Sequence, residues 1–319
     1  MVAGACAADR TGRALRLYLE PILELLDNPT VEDIFANPDG KVWVRQRGVN
    51  LYHYATMQAG DIQNIIHLVA SHNNTVCNVD KPILEAILPF RSARFEGVIP
   101  PVTVAPSFSI RLRPQEVYLL ADYIEAGIIT AQQAYVIGAA IKGNRNILIV
   151  GGTGTGKTTM LNACLAHVSQ ACPLDRIVSI EDTAELQCSS PNYVGLLSSG
   201  TVTMTACVRA ALRLCPTRIV VGEVRGGEAL DMLKAWNTGH PGGFATVHAN
   251  TAAEGLERIE ALAREATGAP QQRFIAATVN VVVFLSRTVE HPFRKVLQIL
   301  RITGYKNGEY VFEDAEEAL

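Results

Sequence analysis

With 319 residues the chain has length for about two domains. Its 48% apolar and 18% charged content excludes a disordered chain, and a net charge of −3 excludes the basic excess of a dedicated duplex-DNA binder. Seven cysteines without a C-x-x-C pair point to reduced, buried thiols in a cytosolic compartment, with no zinc-like spacing.

In chain order, residues 13–26 repeat apolar positions at helical spacing, and Pro21 interrupts them, which predicts two short helices or a kink. The turn NPDG at 37–40 leads into KVWVR at 41–45, which alternates as a strand does. Residues 61–70 predict an amphipathic helix with Asp61 near its start. Strand-like runs follow at 94–99 and 107–113. In the second, Phe108, Ile110 and Leu112 share one face and Ser107, Ser109, Arg111 and Arg113 the other, and Pro114 ends it. These elements predict an α+β N-terminal domain over 1–114. Residues 115–143 predict a helical linker region.

From residue 144 the pattern changes. Apolar strands at 147–150, 177–180, 219–222, 244–247 and 279–285 alternate with helical stretches, which predicts βαβ units and a mainly parallel sheet over 144–319. Runs at 296–302 and 310–312 would extend that sheet at one edge. No apolar run reaches the roughly 18–20 residues of a bilayer span, and the opening MVAGACAAD lacks the basic leader of a secretory signal. The expectation is a cytoplasmic protein without a transmembrane segment, peripheral to any membrane it meets.

Residues 151–158, GGTGTGKT, match the phosphate-binding pattern G-x-x-x-x-G-K-[ST] in full, between a strand and a helix. Glycines let successive backbone N–H groups curl around a phosphate, and the following helix adds its positive end. Gly151, Gly152, Thr153, Gly154, Thr155 and Gly156 form the candidate cradle, which Thr159 continues. Lys157 is expected at the β- and γ-phosphates, and the Thr158 hydroxyl on Mg2+.

RIVVGEVR at 218–225 is an apolar strand that ends in a carboxylate, the usual place for the acid that works with Mg2+ and water. Gly222 stands where Asp is usual, which makes Glu223 the candidate base or water-orienting group. IVSIEDTAE at 177–185 brings Glu181 and Asp182 to the carboxyl end of the sheet, where open α/β proteins bind ligands. They would hold Mg2+ through water or polarise the attacking water, so Thr158, Glu181 and Glu223 are the metal candidates. GHPGGFATVHAN at 239–250 delivers His248 to the same edge, either to sense the γ-phosphate or to couple hydrolysis to motion.

In this order the four pieces resemble the secretion (traffic) ATPases of type II and type IV systems. Their Walker A loop, acidic box, Walker B strand with Glu, and His box are similar to 151–158, 180–185, 219–223 and 243–248 here. The resemblance extends to 28–37 and 41–45, hence to nearly the whole chain. KAWNTGHPGG at 234–243 is most similar to the conjugal-transfer branch, TrbB-like proteins related to the VirB-system ATPase. The four-cysteine zinc module of type II and some pilus-assembly members has no counterpart, which favours that branch.

The resemblance implies an α/β fold in which a RecA-like P-loop NTPase domain follows a smaller α+β N-terminal domain. It implies a homohexameric ring and ATP with Mg2+, the nucleotide lying between the domains, where Arg94, Arg111 and Arg113 complete the site. Arg209 and Arg213, four apart on a helix, would face the nucleotide or a neighbouring subunit. The implied setting is the cytoplasmic face of the inner membrane, among the membrane components of a secretion or conjugation machine. Direct nucleic-acid binding stays open. A RecA- or helicase-like motor would share the P-loop and the ring, yet would call for basic or aromatic channel residues in a chain only 6% aromatic.

Overall fold

Pro21, which cannot donate a helical hydrogen bond, separates α1 (Val2–Leu19) from α2 (Leu23–Asp27), with a 3-10 turn at Glu20–Ile22 between them. The computed structural model describes residues 2–47, 49, 51–90, 93–112, 117–199 and 201–316, with side chains from residue 11 onward. The chain divides into two units, Met1–Glu116 and Val117–Leu319.

In the first unit the helices are followed by β1 (Val31–Ala36), β2 (Lys41–Gln46), β3 (Tyr52–Thr56), α3 (Ala59–His72), β4 (Ile83–Ile87), β5 (Arg94–Val98) and β6 (Ser107–Arg111). The strands form one antiparallel sheet in the order β3-β2-β1-β6-β5-β4. Its apolar face, with Ile34, Val44, Phe95, Phe108 and Ile110, shares a core with Ile62, Ile65 and Ile66 of α3 and Leu15 and Leu19 of α1. The opposite face carries charge. Arg45, Asp33, Arg111 and Arg94 are direct cross-strand neighbours on β2, β1, β6 and β5.

The second unit begins with α4 (Leu120–Glu125) and α5 (Ala131–Lys142), the latter started by a reciprocal cap between Thr130 and Gln133. Both helices belong to this unit's core: Leu120, Tyr123, Val136, Ile137 and Ile141 cluster with Met160, Leu161 and Leu165. Then come β7 (Ile147–Gly151), α6 (Lys157–Ala171), β8 (Ile177–Glu181), β9 (Tyr193–Leu197), α7 (Met204–Ala211), β10 (Arg218–Val221) and α8 (Glu228–Asn237). The unit ends with β11 (Phe244–Val247), α9 (Ala252–Thr267), α10 (Gln272–Thr278), β12 (Val281–Arg287), β13 (Arg294–Lys306) and β14 (Glu309–Asp314).

The sheet runs β14-β13-β12-β7-β11-β10-β8-β9. Its strands from β12 to β9 are parallel, and β13 and β14 add an antiparallel edge. Helices cover both faces, so the central strands are apolar on both. Ile147 and Ile149 pack towards α5 and α6, while Leu148 and Val150 pack towards α8 and α9. From β7 the chain crosses to β8, with β11 and β10 between them. Such a crossing opens a crevice at the carboxyl ends of the strands.

Candidate functional site

Glycine shapes the loop that joins β7 to α6. Gly154 and Gly156 hold φ at +71° and +95°, a region that residues with a Cβ resist. Gly156 is also the residue from which α6 starts. A Cβ on Gly151 would fall 2.6 Å from the Leu285 carbonyl and from Thr155 Oγ1. Thr155 Oγ1 donates to the Gly152 carbonyl at 2.9 Å, and Lys157 Nζ donates to the same oxygen at 3.1 Å. The lysine therefore bends back over the loop. Burial pushes its ammonium below the ordinary pKa, against the opposing pull of Glu223. Thr158 and Thr159, half-buried, complete the first turn of the helix.

Glu181 ends β8 and is only 4% exposed. Its Oε1 accepts from the backbone N–H groups of Glu185 and Leu186, each at 2.8 Å, which ties down the loop after its own strand. A Cβ on Gly222 would lie 3.0 Å from Glu181 Cγ, so a side chain at β10's exit would crowd Glu181.

Arg225 joins the remaining acids. It pairs with Asp182, and its Nε and Nη2 donate to Glu223 Oε2 at 3.0 and 2.5 Å. Burial opposes its charge, but Glu223 and Asp182 outweigh burial and raise the guanidinium pKa. The backbone N–H groups of Arg225 and Gly226 donate to Glu228 Oε1 at 2.7 and 2.9 Å, fixing the turn into α8. On the neighbouring strand end, His248 Nδ1 lies 3.4 Å from Thr153 Oγ1 of the glycine loop.

The segment that feeds β11 is held by buried polar groups. Arg218, 1% exposed, donates to the Gly242 carbonyl at 3.1 Å and pairs with Asp175 at 2.6 Å. Asn146 Oδ1 accepts from the N–H groups of Gly242 and Gly243 at 2.8 and 3.0 Å.

One sheet edge thus gathers the loop from Gly151 to Thr158 with Glu181, Asp182, Glu223 and His248. Arg94 and Arg111 lie in the first unit, as cross-strand partners on β5 and β6. There Arg111 Nε pairs at 2.8 Å with Asp33, a buried carboxylate that Arg45 also reaches at 3.2 Å. Arg113 lies outside the described residues. Arg209 is exposed and pairs with Asp231 of α8 at 3.2 Å, and Arg213 is exposed on the turn after α7. Three arginines escape the sequence reading. Arg225 sits two residues beyond Glu223, within the quoted motif; Arg287 and Arg294 sit where β12 and β13 outrun the expected strands.

Residues 18–297 match the family described as Type II/IV secretion system protein. Over 288 residues the chain is 42% identical to the probable conjugal transfer protein TrbB of Sinorhizobium fredii, which covers 90% of this chain and 88% of that one. It is 30% identical over 288 residues to the type IV secretion system protein PtlH of Bordetella pertussis, covering 79% of this chain and 82% of that one. In fold it is similar to the ATPase DotB of Legionella pneumophila, with a TM-score of 0.63, 20% identity, and coverage of 89% of this chain and 80% of that one.

Proposed function

The chain belongs to the type II/IV secretion system protein family, and on that basis we propose that it is an ATPase that powers a type IV secretion or conjugation machine. Hydrolysis would drive assembly of the machine or transfer of substrate through it. The observation that carries this reading is the meeting of Lys157, Glu223 and His248 around one glycine loop at the carboxyl edge of a parallel sheet.

Each group has a task there. The loop's backbone N–H groups and the start of α6 receive the phosphates. Lys157 exchanges the Gly152 carbonyl for the β- and γ-phosphate oxygens, where an ammonium depressed by burial regains a partner. Glu223, held by Arg225, orients the attacking water. Glu181 keeps the β8 exit in place and would hold Mg2+ through water. Among the described residues no three His, Cys, Asp or Glu groups form a metal cage. Mg2+ would therefore arrive on the nucleotide phosphates, with Thr158 and water completing its shell, as suits an ion that usually takes only one or two protein oxygens. It would neutralise charge that develops on the phosphates.

By the family reading, Arg94, Arg111 and Arg113 would complete the nucleotide site. We place the protein in a homohexameric ring at the cytoplasmic face of the inner membrane, docked on the machine's membrane components. No helix among the described residues is long and apolar enough to cross a membrane. Nucleotide binding and phosphate release, measured on two variants, test the site. Lys157→Ala is expected to lower kcat a hundredfold or more, and near-normal turnover would remove the loop from the site. Glu223→Gln is expected to bind nucleotide and fail to hydrolyse it; rapid hydrolysis would dismiss Glu223.

A further inference from the structure

Strand β12 runs past the glycine loop before it turns. Its Leu285 pairs with Gly151, the last residue of β7, and two residues later comes Arg287. Across the hairpin, Arg287 stands directly opposite Arg294 of β13. Alternation puts Arg287 in line with Val283 and Leu285, and Arg294 in line with Val296. Those three apolar residues pack in the core that covers α6, so both arginines emerge on the side of the sheet from which α6 starts.

Their side chains reach the loop itself. A Cβ on Gly154 would collide with the guanidinium of Arg287, and a Cβ on Gly156 would lie 3.1 Å from Arg294 Nη1. The two glycines therefore do more than permit positive φ: they leave the room in which the two cations stand. Like charges directly opposite on adjacent strands destabilise a hairpin. Neither guanidinium has an ion-pair partner among the described residues. Paired cations lacking a carboxylate, placed against a phosphate-binding loop, are arranged for a polyanion.

We propose that Arg287 and Arg294 are nucleotide-contacting residues of this site and bind the polyphosphate of a nucleoside di- or triphosphate from the side opposite Glu223. This rests on the P-loop reading of residues 151–158 and adds to it a second cationic wall. It also sets a preference: a ligand with two or three phosphates gains from the pair, and a monophosphate gains little.

The test compares wild type with Arg287→Gln, Arg294→Gln and the double variant, and with Lys157→Ala as a reference. Equilibrium binding of ATP, ADP and AMP is measured with Mg2+, and thermal unfolding is followed with and without ADP. A charge-assisted contact of this kind carries about tenfold in affinity. Each single variant is therefore expected to weaken ATP and ADP about tenfold while AMP changes little. Without nucleotide, the variants should melt at or above the wild-type temperature because the cross-strand repulsion is gone, and the ADP-induced rise should shrink. Arg294→Lys should restore part of the affinity.

If wild type binds ATP and Lys157→Ala abolishes it while both glutamine variants bind as wild type does, the two arginines are overturned and the P-loop reading stands. If wild type binds no nucleotide, both fall together. A lower melting temperature without nucleotide and an unchanged ADP-induced rise would assign the pair a purely structural role and overturn the proposal.

Discussion

Lys157 shows how a single residue reports both on the fold and on its task. Burial lowers its pKa, so the folded chain resists its charge. That cost is present in full below the depressed value and fades as pH rises through it towards the ordinary 10.5. Lys157→Met, similar in shape and uncharged, is expected to be more stable than wild type at neutral pH in denaturant melts. The advantage should narrow as pH approaches 10.5, and a gap that does not change with pH would contradict the burial argument. Arg225 is the second informative residue. It grips Glu223 with two nitrogens, so under the proposed function it is a positioning residue for that carboxylate. Arg225→Ala should lower kcat about tenfold with little change in KM, and Arg225→Lys should recover only part because an ammonium lacks the planar fork. The motif at 218–225 contains both Glu223 and Arg225, yet the second partner of Arg225, Asp182, lies forty-three residues earlier. A tertiary pair of that kind leaves no mark in local spacing.

At the scale of elements, the parallel core was legible because its strands are short apolar runs bounded by polar turns. The five strands expected from 147 to 285 correspond to β7, β8, β10, β11 and β12, and the runs at 296–302 and 310–312 do extend the sheet, as β13 and β14. The kink at Pro21 was equally readable, since proline acts through its own ring. The reading missed β1, β3, β4 and β9, whose patterns are less regular. In β1 a register shift between Val31 and Asp33 interrupts the alternation, and the buried carboxylate of Asp33 on the charged face is tolerated because Arg45 and Arg111 flank it across the sheet. In β3 the sequence YHYAT is nowhere fully buried, so alternation never shows. Packing tolerance can be tested in the same terms. Gly255 of α9 brings the helix so close to β7 that a Cβ would lie 2.5 Å from Val150 Cγ2. Gly255→Ala should therefore destabilise the second unit by about 1–3 kcal/mol, despite the better helix propensity of alanine. Arg218→Met should cost about 3–5 kcal/mol, because it leaves the Asp175 carboxylate and the 239–243 segment without their buried donor. Denaturant unfolding of each variant measures both.

On the scale of the whole molecule, the chain supplies two units: one with an antiparallel sheet bearing a row of arginines, the other with a parallel sheet bearing the glycine loop and its acids. The loop and acids were legible in the sequence, because the chemistry demands those residue types at those spacings. The cations at Arg287 and Arg294 were not, because their relevance comes from strand register alone. A cycle of nucleotide binding and hydrolysis would convert phosphate contacts, present only before hydrolysis, into motion of one unit against the other. The direct measurement is phosphate release from MgATP as a function of protein concentration, with neither DNA nor any acceptor present, on wild type and Glu223→Gln. The account predicts release whose specific activity rises as subunits associate and then levels off, and none from the glutamine variant. Absence of release from wild type at every concentration, or equal release from both proteins, would contradict it.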